Sequence, residues 1–552
     1  MRSVRSVITL IGTSILVTTG LVAAGSTSQA APHDEPVIWE VSEISPDEVL
    51  DLYDSGFDVA EYHDGTADVI GDHEVADALR DRGLEPQFHD TVYKPVNDRV
   101  SAQGTFYGGY KTPDLHLQHV DDVAAANPDL ATVHDIGDSW LKTQGRGGYD
   151  IKAICLTNLQ PGDCELSPDS DKPRFSLVSQ IHARELATGE ITWRWLDYLV
   201  DGYGTDSDIT ELLDTTEVWV VPMANPDGVD LVAEGGDNPV MHRKNANDSN
   251  GCSGTGVGVD LNRNHSYEWG DASSSPCATT YRGPSPASEP EIQALEGLFE
   301  NIHPDQRGSG GNDPAPDDAR DVMISLHSYG NYLIVPWGYT SSPPPNDDQL
   351  RELAHSMADH NGYQVGNAWE TVGYTASGTT DDFAYGELGV AGYTFEIGGS
   401  YGSCGGFFPS YSCLDSTLWP ENRDALMEAA LQADAPYGGG GGGDPEPPED
   451  CDNHDTVDNG SLASNGSAVH PDSGWYYSGA SGSHQACLSS AQGTDFGLEL
   501  QKWTGWGWTS VAQGSGSATE KSVDHQDSSG YFRWIVAADS GSGSYTLGYS
   551  RP

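Results

Sequence analysis

Phe175-Ser176-Leu177-Val178-Ser179-Gln180-Ile181 is a strand-like run that ends on His182-Ala183-Arg184-Glu185. Directly after it, Leu186–Val200 takes up helical spacing through Trp193, Trp195, Leu196 and Leu199. A buried strand passing into a helix is the repeating unit of α/β folds. The pattern continues outward. Val218–Val221 reads as a buried strand, and Ser288–Phe299 as a helix with Ser288 as its cap and Glu291 three residues on. Val322–Leu326 is a strand, Asp347–Asp359 a helix, Ala391–Ile397 a strand and Glu421–Leu431 a helix. This alternation predicts an α/β sheet with helices on both faces.

The flanks differ in style. Arg2 and Arg5 precede an apolar stretch, Val7–Ala24, which opens into small residues at Ser28 and Ala30. Residues 1–30 are therefore expected to be a secretory signal peptide, and the mature protein to be secreted and extracellular. Residues 31–103 are acidic and short of apolar runs, with helical patterning only at Ser45–Tyr53 and Glu74–Arg82. Six glycines, Gly438–Gly443, and a Pro/acid stretch make residues 438–450 a linker. Beyond it, residues 451–552 show short alternating runs such as Gly497–Trp503 and read as a small all-β module. Its aromatics Trp475, Tyr476, Tyr477, Trp503, Trp506, Trp508, Tyr531 and Trp534 read first as core and cross-strand pairs, and second as a binding face.

The 552 residues carry 84 acidic against 26 basic side chains, a net charge of −58. That excludes unaided binding to nucleic acid or anionic membranes. With few lysines among the basic residues, the surface is expected to tolerate molar salt, where screening is nearly complete. Eight cysteines suit an oxidising destination and fall in local couples: 155 with 164, 252 with 277, 404 with 413, 451 with 487. Their connectivity stays open. No C-x-x-C spacing points to a structural metal cluster.

His182 and Glu185, three apart at a strand end, can present an imidazole nitrogen and a carboxylate oxygen to one Zn²⁺. The spacing recurs at His265–Glu268, which lacks a strand-to-helix junction and reads as coincidence. His327 ends another buried strand. Two histidines and a glutamate leave one coordination position open, as catalytic zinc requires; Co²⁺ and Mn²⁺ also suit such donors. Glu396 ends an apolar strand, where a carboxylate is costly unless paired or working, and a base is needed beside an activated water. Arg243 and Arg263 offer guanidinium groups for a carboxylate or an oxyanion.

His182–Glu185, Val259-Asp260-Leu261-Asn262-Arg263-Asn264, His327-Ser328-Tyr329-Gly330, Tyr374–Gly378 and Thr394-Phe395-Glu396 occur in that order. The set closely resembles the zinc metallocarboxypeptidases of family M14, the funnelins, and in particular their carboxypeptidase T-like branch, over about residues 105–435. The resemblance implies a mixed, mostly parallel sheet flanked by helices, with a catalytic domain over residues 104–437 and a propeptide over 31–103. It implies one Zn²⁺ on His182, Glu185 and His327, Glu396 as the general base for a zinc-activated water, and Arg243 for the oxyanion. Asn262, Arg263 and Tyr374 would grip the substrate's terminal carboxylate, with Arg184 near the preceding subsite. Asp381 stands where relatives that cut Lys or Arg carry Asp, so a basic or mixed preference is expected. The Cys252–Cys277 couple would flank Asn262 and Arg263 as a disulfide does in some relatives. The C-terminal module is similar to pre-peptidase C-terminal β-sandwiches.

The expected activity is release of single amino acids from peptides and proteins with a free C-terminus, by a monomer that binds neither nucleic acid nor membrane. Cell-wall peptide hydrolysis on the same site, amide deacylation of small N-acyl amino acids and a non-catalytic binding role are the alternatives. The acidic run Asp313–Asp321 is a possible Ca²⁺ holder without EF-hand spacing.

Overall fold

The computed structural model describes residues 35–438 and 451–552, apart from positions 64, 95–101, 168–169, 309, 452–453, 464–465, 472–473, 480–481, 491–493, 505–506, 515–519, 528 and 541–542. The expected signal peptide and nearly all of the linker lie outside the described residues. Four short strands, β1 (Val37–Ser42), β2 (Asp58–His63), β3 (Thr66–Gly71) and β4 (Gln87–Thr91), form an antiparallel sheet in the order β2-β3-β1-β4. Helices Pro46–Asp54 and His73–Asp81 close a core of Val41, Val49, Leu52, Val59, Val69 and Leu79. Ser45 and Glu48 form a reciprocal capping box on the first helix. Only the helices were legible in the sequence here. Glu40, Glu61 and Asp68 interrupt the apolar pattern of strands no longer than six residues.

A two-residue hairpin, β5 (Thr105–Phe106) with β6 (Tyr110–Lys111), leads into the main sheet. Its strands are β7 (Ala131–Asp138), β8 (Asp150–Leu156), β9 (Arg174–Ser179), β10 (Glu217–Val221), β11 (Val322–His327), β12 (Tyr332–Ile334), β13 (Gln364–Gly366) and β14 (Ala391–Glu396). They lie in the order β13-β12-β14-β11-β9-β10-β8-β7. The centre, β14-β11-β9-β10, is parallel; β8 and β12 join it antiparallel. The sheet is thus mixed and mostly parallel, as expected. Every residue of β9, β10 and β11 is buried, which is why these strands read as apolar runs rather than alternating ones.

Side chains alternate between two cores. Phe175, Leu177, Val218 and Val220 pack under helix Leu186–Gly202, with Trp195, Leu196 and Leu199. On the other face Val178, Trp219, Val221 and Met323 pack under helix Pro290–Ile302, with Ile292, Leu295 and Phe299. That helix corrects one expectation. It starts at Pro290 with Glu289 at the cap position, so Ser288 is one residue too early. The Ser288 hydroxyl instead bonds Asn264 and Glu289, and Glu291 accepts from the Trp140 amide.

All four local cysteine couples are disulfides. Residues 451–552 form a separate two-sheet sandwich: β15 (Thr456–Leu462), β16 (Ser467–His470), β17 (Tyr476–Ser478), β18 (Gly482–Ser490), β19 (Asp495–Trp503), β20 (Trp508–Gln513), β21 (Glu520–Asp527), β22 (Gly530–Ser540) and β23 (Gly543–Ser550). One sheet runs β15-β23-β18-β21. The other runs β16-β22-β19-β20, with β17 also paired to β22. Phe496, Leu498, Leu500, Phe532, Trp534 and Val536 fill the space between them. Among the described residues no helix is long and apolar enough to cross a membrane.

Candidate active site

The carboxyl ends of parallel strands are where open α/β sheets place ligands, and here the polar residues gather. His182 follows β9 and His327 ends β11, with Nδ1 atoms 3.0 Å apart. Glu185, at the start of helix Leu186–Gly202, puts Oε1 2.8 Å from His182 Nδ1 and Oε2 3.0 Å from His327 Nδ1. All three side chains are buried, and one ligand atom from each lies within 4.8 Å of the others.

The partners behind these residues set their chemistry. His182 Nε2 lies 3.0 Å from Asp260 Oδ1, which can only accept, so Nε2 carries the proton. With Nδ1 as the ligand atom, its lone pair faces a Glu185 oxygen. Two acceptors at that separation repel unless a cation lies among them. His327 Nε2 is 2.9 Å from Ser325 Oγ, and burial lowers this imidazole to about 4, against the pull of Glu185. Two imidazoles, a carboxylate and, among the described residues, no fourth ligand suit a catalytic Zn²⁺, and the Asp260 contact is the usual support behind a metal-ligating histidine.

Asp260 also accepts from Arg243 Nε at 3.0 Å, which aims that guanidinium beside Glu185, Nη1 to Oε1 3.7 Å. Burial opposes the Asp260 charge, yet Arg243 and His182 hold its carboxyl well below the usual range. Glu396, last in β14, is in register with His327. Burial pushes its carboxyl up and the nearby Glu185 adds to this, with Arg243 and Arg263 pulling back. A cation beside Glu185 would act in the same direction as the arginines.

Arg263 and Asn262 sit on a single turn, Leu261–Arg263. Arg263 Nη1 donates to Asn262 O at 2.7 Å, and Asn262 Oδ1 accepts from the Thr380 amide at 2.9 Å. The loop carrying Tyr374 is pressed against this turn at Gly378. There φ is +69°, and a Cβ would lie 2.6 Å from Arg263 O, so only glycine fits. Asp381 is buried in helix Thr380–Leu388, and burial raises its carboxyl. No cation among the described residues forms an ion pair with it.

A cavity of about 90 Å³ joins these groups: Glu396, Arg243, Asn262, Arg263, Tyr374, Asp381, His182, Glu185 and Arg184 all line it. The opposite wall is Tyr53, Val59, Glu61 and Tyr62 from the N-terminal unit. Asp58 pairs with Arg184 through both guanidinium Nη atoms, and the Tyr53 hydroxyl donates to Tyr374 OH at 3.2 Å. All ten site residues expected from sequence therefore meet in one place. His265 does not join them: Glu296 and Thr380 each hold one of its ring nitrogens at 3.1 Å. The Ca²⁺ alternative for the acidic run Asp313–Asp321, weighed against a solvated loop, finds no support. Asp313 bonds the Gly310 amide, Asp321 takes the Arg174 amide and the His303 ring, and the run gathers no convergent ligand set among the described residues.

Residues 116–425 match the zinc carboxypeptidase family, peptidase M14. The chain belongs to the zinc carboxypeptidases. Mouse carboxypeptidase A2 is 33% identical over 300 residues, covering 53% of this chain and 63% of its own length. Carboxypeptidase B of Astacus astacus is 31% identical over 298 residues, 51% of this chain and 85% of its own. The chain thus spans less than two thirds of the mouse relative. Carboxypeptidase A from Helicoverpa armigera shares the fold with a TM-score of 0.56 at 22% identity, over 73% of this chain and 98% of that one. Within this zinc carboxypeptidase, Asp260, Ser325, Tyr53 and Asp58 were not singled out from sequence. Asp260 lay inside a quoted motif, and a carboxylate that could lie between His182 and Arg243 was the available signal.

Proposed function

We propose that the chain is a secreted exopeptidase that removes single residues from free C-termini of peptides and proteins, with Zn²⁺ on His182, Glu185 and His327. One observation carries the reading: a guanidinium able to hold a terminal carboxylate, Arg263, shares a cavity with His182, Glu185 and the carboxylate Glu396. Bound zinc supplies a Lewis acid for the scissile carbonyl and the attacking water. Glu396 takes the proton of that water and delivers it to the departing amine nitrogen. Arg243, aimed by Asp260, donates to the carbonyl oxygen as negative charge builds there. Arg263, Asn262 and Tyr374 hold the substrate's terminal carboxylate, which an internal peptide bond lacks. Asp381 at the cavity wall offers an unpaired carboxylate to a Lys or Arg side chain, hence the basic or mixed preference.

Residues 1–30 are the signal and residues 31–103 an inhibitory prosegment, whose Asp58 and Tyr53 occupy Arg184 and Tyr374. Residues 104–437 form the catalytic domain, 438–450 the linker and 451–552 the appended module. The N-terminal pattern and four disulfides support export. The test is hydrolysis of a short peptide by the full chain and by chain cut near residue 103, each stripped of metal and then given Zn²⁺. Activity only in the cut, zinc-restored sample is expected. Full activity of the uncut chain contradicts the prosegment, and metal-independent turnover contradicts the zinc assignment.

A further inference from the structure

The outer face of the β16-β22-β19-β20 sheet breaks the rule that large aromatic side chains are buried. Of the ten large apolar side chains left exposed among the described residues, five stand on or beside this sheet: Tyr477 (52%), Trp475 (48%), Tyr531 (43%), Trp503 (40%) and, on β16, the aliphatic Val469. Their neighbours on the same strands, Tyr476, Phe532 and Trp534, point inward and complete the core. The exposed set lies outside that core, with Tyr477 opposite Tyr531 and Trp503 opposite Trp508 as cross-strand pairs. Such a cluster of exposed apolar surface marks a binding site.

The rings are pre-arranged. Trp475 meets Tyr531 edge-on with centroids 4.9 Å apart, Tyr477 lies 4.9 Å from Tyr531 on its other side, and Trp503 meets Trp508 edge-on at 5.5 Å. Trp475, Trp503, Trp508 and Tyr531 enclose a cleft of about 380 Å³, within the size range of small-ligand sites. A strip of planar polar groups runs beside it. Arg533 lies 4.5 Å over the Trp508 ring and donates from Nε to Gln501 Oε1 at 2.7 Å. Gln501 in turn donates to Glu499 Oε1 at 2.9 Å.

We propose that this face binds a neutral polysaccharide with flat, equatorially substituted sugar rings. Three observations select that ligand. Among the described residues the cleft is lined by aromatic rings alone, with no aliphatic side chain, whereas the centre of a protein interface also buries aliphatic groups. A sugar ring has a C–H face for an aromatic plane and edge hydroxyls for planar hydrogen-bond partners, matching rings flanked by Gln501, Glu499 and Arg533. The chain's charge of −58 opposes nucleic acids and acidic glycans. Tyr531 and Trp503 stand on the inner strands β22 and β19 and Trp508 opens the edge strand β20, so the cleft is built from side chains at one end of the sheet face. Binding would hold the peptidase on insoluble material while its substrates diffuse in.

The test is retention of the full chain on insoluble cellulose and on chitin, with release by a soluble β-1,4-linked oligosaccharide. Trp503→Ala and Tyr531→Ala should each weaken retention at least tenfold, and Trp503→Phe should restore part of it, with hydrolysis of a small peptide unchanged. Both side chains lie outside the module's core, and circular dichroism checks that each variant folds. No retention on either glycan, or equal retention of the alanine variants, overturns the proposal. Retention instead on a proline-rich peptide resin, sensitive to the same substitutions, also overturns it and makes the face a peptide-docking surface.

Discussion

The two ends of β9 and β11 hold similar side chains and use them in opposite ways. At the amino ends, His303 is bracketed by Asp321 Oδ2 at 2.8 Å and Ser176 Oγ at 2.9 Å, while Asp321 also caps the Arg174 amide. Serine, histidine and aspartate stand in a hydrogen-bonded row, the residue types of nucleophilic hydrolases. All three are buried and both ring nitrogens of His303 are satisfied. At the carboxyl ends, His182 and His327 each have one nitrogen tied to the protein and the other turned toward Glu185. What separates a structural cluster from a reactive one is thus the binding capacity left over, together with the cavity it faces. Residue type alone misleads.

The comparison can be broken at several points. Glu396→Gln keeps shape and removes the proposed base. Turnover should fall by about 10³-fold with zinc content unchanged. Activity near wild type would take Glu396 out of the reaction and leave its burial unexplained. Asp381→Ala removes the carboxylate without an ion-pair partner. The preference for C-terminal Lys and Arg over Leu and Phe should drop on the order of 100-fold, the cost of losing one partner of a buried ion pair. An unchanged preference ratio would place Asp381 with the structural cluster instead. His303→Ala should act at the other end alone. It should cost about 1–3 kcal/mol in denaturant unfolding by leaving Asp321 and Ser176 without their partner, with zinc content and kcat preserved. Loss of zinc in that variant would show the two ends to be one coupled network.

Much of this contrast was legible in sequence, for physical reasons. The central strands are buried on both faces and so read as unbroken apolar runs, each ending on a chemically marked residue such as His182, His327 or Glu396. His265 and His182 shared a spacing but not a junction, and the structure separates them as that junction suggested. The N-terminal sheet was not legible, because its strands are short and carry acids on half-buried positions, and in β3 on the buried Asp68. Nor were Asp58 and Tyr53, whose partners Arg184 and Tyr374 lie 126 and 321 residues away. The helix start misplaced on Ser288 shows the same limit: local cap chemistry was outweighed by Pro290 and by the contact of Glu291 with a distant amide. In the C-terminal module, alternation showed a β sandwich, while which aromatics face outward depended on register. Trp506 lies outside the described residues.

The central claim is that Arg263 restricts this zinc site to chain ends. The most direct measurement compares one peptide with its C-terminally amidated copy, incubated with the zinc-loaded, cut chain and read by mass spectrometry. Stepwise loss of single residues from the free acid, with the amide untouched, is the predicted result. Equal cleavage of both, or cuts within the peptide, would contradict it.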